Sequence, residues 1–313
     1  MVTFVSRSFS SRSSDADVEL EPPLHHVQQP LQDDAQPHQR WLLSKSQRKW
    51  YTGMMVSTLF AAAYYVRPIH MAIPILMAYY GVPTLFFSYM VLTVLLVSVL
   101  IPPRPSRALV ASLFGPLLQY FEYDQIVENS PVSIRESMKD GQQYIFGCQP
   151  HGVVPFCGVA WSVFQAQTTQ DDQTPYVIPT AVASRCLNTP ILKHVLGLLS
   201  CVSASRASLQ QTLTTHSVRV YVGGTTEIFE CNEYVEVLHL TKHKGFIKLA
   251  LQLGVDVVPV YMFGNTSVYA VSNDKYGILV RLSRLLQLPV TYCKGAYGLP
   301  IPHNDKVRSR IPV

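Results

Sequence analysis

The chain has 313 residues, of which 48% are hydrophobic and only 14% charged. Soluble domains carry about 25% charged residues, so an ordinary soluble surface is excluded, and so is global disorder. A net charge of +5 without clustered Lys and Arg excludes a nucleic-acid binder, although it favours anionic surfaces and ligands.

Residues 1–40 are rich in Ser, Gln, Pro, Asp and His and hold no sustained apolar period. They read as a disordered tail. The first fourteen residues are rich in Ser and Arg, faintly like a transit peptide, but no secretory h-region follows Met1.

From Trp50 to Val66 no residue is charged; Arg67, Pro68 and His70 interrupt, and Met71 to Ile101 is again free of charge and of His. A membrane helix needs about 20 apolar residues. Pro74, Gly81 and Pro83 divide the second run into a lead-in and a helix from about 84 to 101. Basic residues flank the pair at Arg40, Lys45, Arg48 and Lys49 and again at Arg104 and Arg107. The positive-inside rule then predicts a transmembrane helical hairpin over 50–66 and 71/84–101, with both chain ends cytosolic. A re-entrant hairpin in one leaflet and a pair of buried core helices are the alternatives.

After Pro105 short apolar runs alternate with helical spacing. Strands are predicted at Tyr144–Gly147, Tyr176–Val182, Val218–Val222 and Val255–Phe263, and a helix at Gly245–Leu253. Pro179 demotes the second strand toward an edge or bulge. The pattern predicts an α/β domain over 102–313 with a largely parallel sheet. Six cysteines lack any Cys-x-x-Cys spacing, which suits reduced thiols.

Three motifs stand out, and the first two directly follow strands. Gln149-Pro150-His151-Gly152 offers a stiff turn, a residue able to accept a proton near neutral pH, and a glycine that admits close approach. The plain alternative is a loop histidine. Gly223-Gly224-Thr225-Thr226-Glu227 offers backbone N–H groups for an anion or oxyanion and a carboxylate that could orient His151 or a substrate hydroxyl. Its plain alternative is a Gly-rich turn with a helix-starting Glu. Lys242-His243-Lys244-Gly245, entering a helix, and Arg206 suit phosphates or are simply solvated basic turns. The zinc-protease pattern, the esterase elbow, the Walker loop and the dinucleotide fingerprint do not occur, and no metal set is predicted. Asn265-Thr266-Ser267 is a sequon that the predicted topology leaves in the cytosol.

Taken in order, these motifs resemble the type-2 diacylglycerol acyltransferase family. Tyr144–Gly152 resembles its strand leading to His-Pro-His-Gly, and Val222–Glu227 its Pro-Gly-Gly-x-x-Glu. Lys244–Ala250 with Val258–Gly264, and Gly298–Pro302, resemble two later blocks. Gln149 stands where the family has its first His, so only His151 carries over as catalytic. Where wider glycerolipid acyltransferases place Asp five residues beyond the His, this chain has Phe156, and Glu227 becomes the candidate carboxylate.

The resemblance implies a glycerolipid-acyltransferase-like mixed or parallel sheet with flanking helices. It implies an acyl-CoA:diacylglycerol O-acyltransferase with acyl-CoA as co-substrate and no bound cofactor. His151 and Glu227 are then catalytic, and Pro150, Gly152, Gly223, Gly224, Arg206, Lys242 and Lys244 bind substrate. A monoacylglycerol or long-chain alcohol is the alternative acceptor, and a non-catalytic membrane or lipid-droplet protein the alternative class. The expected address is the endoplasmic reticulum membrane or lipid droplet, with the plastid envelope as the reading of the Ser/Arg-rich start. A homo-oligomer is compatible with it. The resemblance also implies a Val-x-Gly-x-Pro-Ile-like strand beyond Val313.

Overall fold

A computed structural model of the chain describes residues 50–80, 93–94, 96–98, 100–127, 134, 137–138, 140–169, 177–230, 236, 238, 244–271, 277–286, 291 and 293–311. The tail predicted over 1–40 and the connection over 81–92 lie outside them.

Helix α1, Trp50–Tyr80, runs on through Arg67, Pro68 and His70, where the sequence placed an interruption, and through Pro74. Its first turns present two faces. Gly53, Ser57, Phe60 and Ala61 are buried, whereas Tyr51, Met55 and Leu59 are 74%, 61% and 66% exposed. The inward face meets helix α2, Gly115–Tyr120. A Cβ on Gly53 would lie 2.6 Å from the Pro116 carbonyl oxygen, so the missing side chain is what lets the two backbones approach. Among the described residues no helix is long and apolar enough to cross a membrane.

Strand β1, Asp124–Val127, follows α2, and β2, Tyr144–Gln149, opens the part of the sheet that bears the motifs. Helix α3, Phe156–Thr168, comes next and is buried along almost its whole length. Strands β3, Thr180–Val182, β4, Cys201–Ser203, and β5, Val218–Tyr221, follow, with helix α4, Arg206–Thr212, between the last two. Helix α5, Thr225–Glu230, leads on to helix α6, Gly245–Leu253, which feeds β6, Asp256–Phe263. Strands β7, Ala270–Val271, and β8, Cys293–Lys294, form a small antiparallel ladder, and β9, Arg308–Ile311, returns to the main sheet.

Among the described residues the main sheet has the order β1-β9-β6-β2-β5-β3-β4. The run β6-β2-β5-β3-β4 is parallel; β9 is antiparallel to β6 and parallel to β1. This is the mixed, parallel-dominated α/β sheet expected from alternating strands and helices. Apolar clusters cover both of its faces. Phe146, Cys148, Val260 and Met262 pack with α3 on one side, and Ile145 and Val218 pack with Leu249 and Ala250 of α6 on the other. That is why β2 reads as a continuous apolar run instead of alternating.

One expectation needs correcting. Thr180–Val182 is an interior strand, paired with β4 and β5, and not an edge. Pro179 lies just before it, where the missing N–H removes no ladder bond, while its carbonyl accepts from the Arg219 N–H at 2.8 Å. Gly245–Leu253 has the predicted bounds, ending on Gly254 in the left-handed region at φ 66°.

Candidate functional site

Because β2, β5 and β6 are parallel neighbours, their carboxyl ends deliver three turns to one edge of the sheet. These are the turn at Gln149–Gly152, the turn at Gly223–Glu227 and the turn at Gly264–Asn265. Two motifs singled out in the sequence are therefore brought together, along with a third turn that was not.

His151 is half-buried. Its Nδ1 lies 2.7 Å from the Gly152 carbonyl oxygen. A carbonyl can only accept, so Nδ1 carries the hydrogen and the neutral ring keeps its lone pair on Nε2. Burial lowers the imidazole pKa below the usual 6.5, outweighing the Gly152 hydrogen bond and the Glu227 charge, which both raise it. The ring is thus neutral at pH 7, with the nitrogen opposite the backbone bond able to accept a proton.

Glu227 is fully buried, and its Oε2 accepts from the His151 backbone N–H at 3.0 Å. This bond is to the main chain that carries the imidazole. Gly223 makes this possible: a Cβ there would sit 1.8 Å from the Glu227 Oε1. Gly224 turns the chain in the left-handed region at φ 56°. The two glycines thus serve distinct needs, one giving room to a carboxylate and the other making the turn.

Asn265 is the residue that sequence reasoning missed. It is 1% exposed. Its Nδ2 donates to the Pro150 carbonyl at 3.0 Å and to the His151 carbonyl at 2.6 Å, and its Oδ1 accepts from the Cys157 N–H at 3.1 Å. It therefore ties the end of β6 to the histidine turn and to the first turn of α3. Gly152, at φ 65°, packs against the Asn265 backbone so closely that a Cβ would lie 2.5 Å from its carbonyl oxygen. The sequon amide is buried and committed at both ends, which agrees with the expectation of a silent sequon on grounds independent of topology. The available signal was an Asn directly after the strand-ending Gly264.

The two described basic candidates, Arg206 and Lys244, are not gathered into one cluster. Arg206 donates through Nη2 to the Gln252 side chain near the end of α6, whereas Lys244 stands exposed just before that helix begins. Gln252 lies eight positions beyond Lys244, about 12 Å along the helix. Lys242 lies outside the described residues. Pro150 is buried in the histidine turn. Gln149 has a buried Oε1 that accepts no hydrogen bond among the described residues. Among those residues no group of three or more His, Cys, Asp or Glu is placed to hold a metal ion.

The family model "Diacylglycerol acyltransferase" matches residues 117–296, more than half of the chain. The chain is 34% identical over 178 residues to Diacylglycerol O-acyltransferase 1 of Eremothecium gossypii, covering 54% of this chain and 36% of that protein. It is 31% identical over 160 residues to Diacylglycerol O-acyltransferase 2 of Dictyostelium discoideum, covering 48% and 47%. It is also 31% identical over 154 residues to Acyl-CoA wax alcohol acyltransferase 1 of Mus musculus, covering 47% and 46%. The matched segment is thus at most about half the length of each of these relatives. No solved structure matches the chain.

Proposed function

Since the chain belongs to the diacylglycerol acyltransferase family, we propose that it transfers a fatty acyl group from acyl-CoA to the free hydroxyl of diacylglycerol, making triacylglycerol. His151 Nε2 takes the proton of the acceptor hydroxyl as that oxygen bonds to the thioester carbonyl carbon. The tetrahedral intermediate then breaks its C–S bond, and the departing sulfur takes the proton back from the imidazolium. General-base assistance of this kind is worth about 10²–10⁴-fold. The Nδ1–Gly152 bond is the observation that carries this reading, since it leaves Nε2 as the basic nitrogen.

Glu227 holds the histidine turn through the His151 N–H. That N–H is therefore spent, and the oxyanion falls to backbone N–H groups of Gly152 or of Gly223 and Gly224, about 3–4 kcal/mol for one good donor. Lys244, just before α6, and Lys242, two positions earlier in the sequence, meet the phosphates of coenzyme A. Arg206, engaged by Gln252, is a less direct candidate for the same ligand.

The acceptor is a bilayer lipid and coenzyme A is water-soluble, so the reading includes a membrane hairpin with cytosolic ends, in the endoplasmic reticulum or at lipid droplets. The charge-free runs and the outward Tyr51, Met55 and Leu59 support it. The similarity to a wax alcohol acyltransferase favours one second reading, with a long-chain alcohol as acceptor.

The test is expression in cells unable to make neutral lipid, followed by labelled acyl-CoA with diacylglycerol, monoacylglycerol and fatty alcohol in parallel. Triacylglycerol is expected to dominate. His151→Ala is expected to lower transfer by about 10²-fold or more at equal protein level. Full turnover by that variant removes His151 from the base role, and absence of any ester from the wild-type chain overturns the enzyme reading.

A further inference from the structure

We propose that Tyr221 is a positioning residue for His151: its ring shields the imidazole from water and sets its tilt, and the Tyr221 hydroxyl is seated in the space left by the absent side chain of Gly158. The inference deepens the reading above, since it rests on His151 as the base.

The rings of His151 and Tyr221 meet edge to face, with centroids 4.9 Å apart and an interplanar angle of 62°. Tyr221 closes β5, in register with Cys148 on β2, two residues before Gly223. One strand thus supplies the wall of the imidazole, and the helix that follows it, α5, supplies the carboxylate that holds its backbone. On its far side the phenol abuts the first turn of α3. A Cβ on Gly158 would lie 1.9 Å from the Tyr221 hydroxyl oxygen and 3.1 Å from the ring carbon that bears it. Gly158 is itself fixed: its carbonyl accepts from Arg219 Nη1 at 3.0 Å and from the Ser162 hydroxyl at 3.2 Å. The Tyr221 ring therefore lies between the imidazole and a helix that Arg219 tethers to β5.

The hydroxyl is buried and has no hydrogen-bond partner among the described residues. A buried unpartnered phenol costs stability, so the oxygen needs a reason to be there, and fitting the Gly158 notch is one. Facing His151 are Glu227 from α5 and the neutral Asn265 from the end of β6. Facing Tyr221 are Cys148 on β2, Cys157 on α3, Arg219 on its own strand and Tyr64 on α1. Burial pushes the Tyr221 phenol and the Cys157 thiol well up and the Cys148 thiol to about 12, so none of the three titrates where the imidazole does.

The sign follows from burial. Removing the ring admits water, water favours the imidazolium, and the imidazole pKa rises toward its ordinary value. A base that must be deprotonated then needs a higher pH, so the acid limb of kcat/KM moves up.

The experiment measures kcat/KM against pH for acyl transfer by the full membrane-inserted chain. Tyr221→Leu is expected to move the acid limb up by about half a unit or more and to lower kcat about tenfold. Tyr221→Phe keeps the ring and is expected to hold the limb in place. Gly158→Ala collides with the hydroxyl and is expected to lower kcat about tenfold. The double variant Gly158→Ala with Tyr221→Phe is expected to recover most of that loss, because the colliding oxygen is gone. An unmoved limb in Tyr221→Leu, an equal shift in Tyr221→Phe, or a double variant no better than Gly158→Ala overturns the proposal. Should a variant turn over too slowly, the pH dependence of His151 modification by diethyl pyrocarbonate, with His151→Ala as the blank, reads the same pKa. Full turnover by His151→Ala would sink the base reading, whereas an inactive His151→Ala with an unmoved limb in Tyr221→Leu sinks only the role of Tyr221.

Discussion

At position 223 a side chain would have to occupy the space of the Glu227 carboxylate, only 1.8 Å from where a Cβ would stand. Gly223→Ala is therefore expected to drive Glu227 off the His151 N–H and let the histidine turn shift. A displacement of about 1 Å at a reacting group costs about 10²-fold in rate, which is the fall expected in acyl transfer at matched protein level. Gly224→Ala acts differently, through left-handed backbone strain, and leaves the carboxylate its room. His151 and Glu227 were both legible in the sequence, since a His and a Glu after strand-ending turns are a small set to choose from. Asn265 was not. Its three partners, Pro150, His151 and Cys157, are more than a hundred positions away, and a local window around Gly264-Asn265-Thr266 reads only as a turn or a sequon.

At the scale of elements, β5 carries the clearest lesson. Val218-Arg219-Val220-Tyr221 alternates as a strand with one wet face would, yet Arg219 is 1% exposed. The strand lies between β2 and β3, and α3 covers the face that Arg219 and Tyr221 share. The guanidinium is satisfied by carbonyls: Nε and Nη2 donate to Ile178 at 3.1 and 2.9 Å, and Nη1 to Gly158 at 3.0 Å. Nη2 also meets the Ser162 hydroxyl, and the group lies 4.8 Å over the Trp161 ring. It staples α3 and the chain before β3 to the middle of the sheet. Arg219→Leu strands these acceptors, and a loss of about 2–4 kcal/mol is expected, read as a lower thermal midpoint in detergent or vesicles. Arg219→Lys is expected to restore little of it, because an ammonium cannot reproduce the planar fork.

Over the whole molecule, α1 joins the apolar N-terminal part of the chain to the α/β domain. Gly53, Ser57 and Phe60 face inward, and Phe60 packs edge to face on Phe114 with centroids 6.0 Å apart. Gly53→Val inserts three carbons where one already falls 2.6 Å from Pro116 and Tyr120. Overpacking of this kind costs about 1–3 kcal/mol, and faster heat inactivation of acyl transfer is the expected sign. At the other end of the chain, β9 enters the sheet between β6 and β1, so the last described strand is interior. Its Arg308 reaches the buried Asp124 of β1 at 3.0 Å, an ion pair between residues far apart in sequence.

Composition and periodicity by themselves determined the apolar N-terminal region, the α/β class, the span of the Gly245–Leu253 helix and the placing of His151 and Glu227 after strands. These properties are local, because hydrophobic spacing and turn chemistry act over a few residues. Only the tertiary structure decided that Glu227 grips the backbone of the histidine turn, that Asn265 and Tyr221 enclose it, that Arg219 is buried, and that Arg206 and Lys244 stand apart. Those outcomes depend on which strands become neighbours and which face a helix covers. Strand order is fixed by contacts between residues tens to hundreds of positions apart, and no short window of the chain contains them.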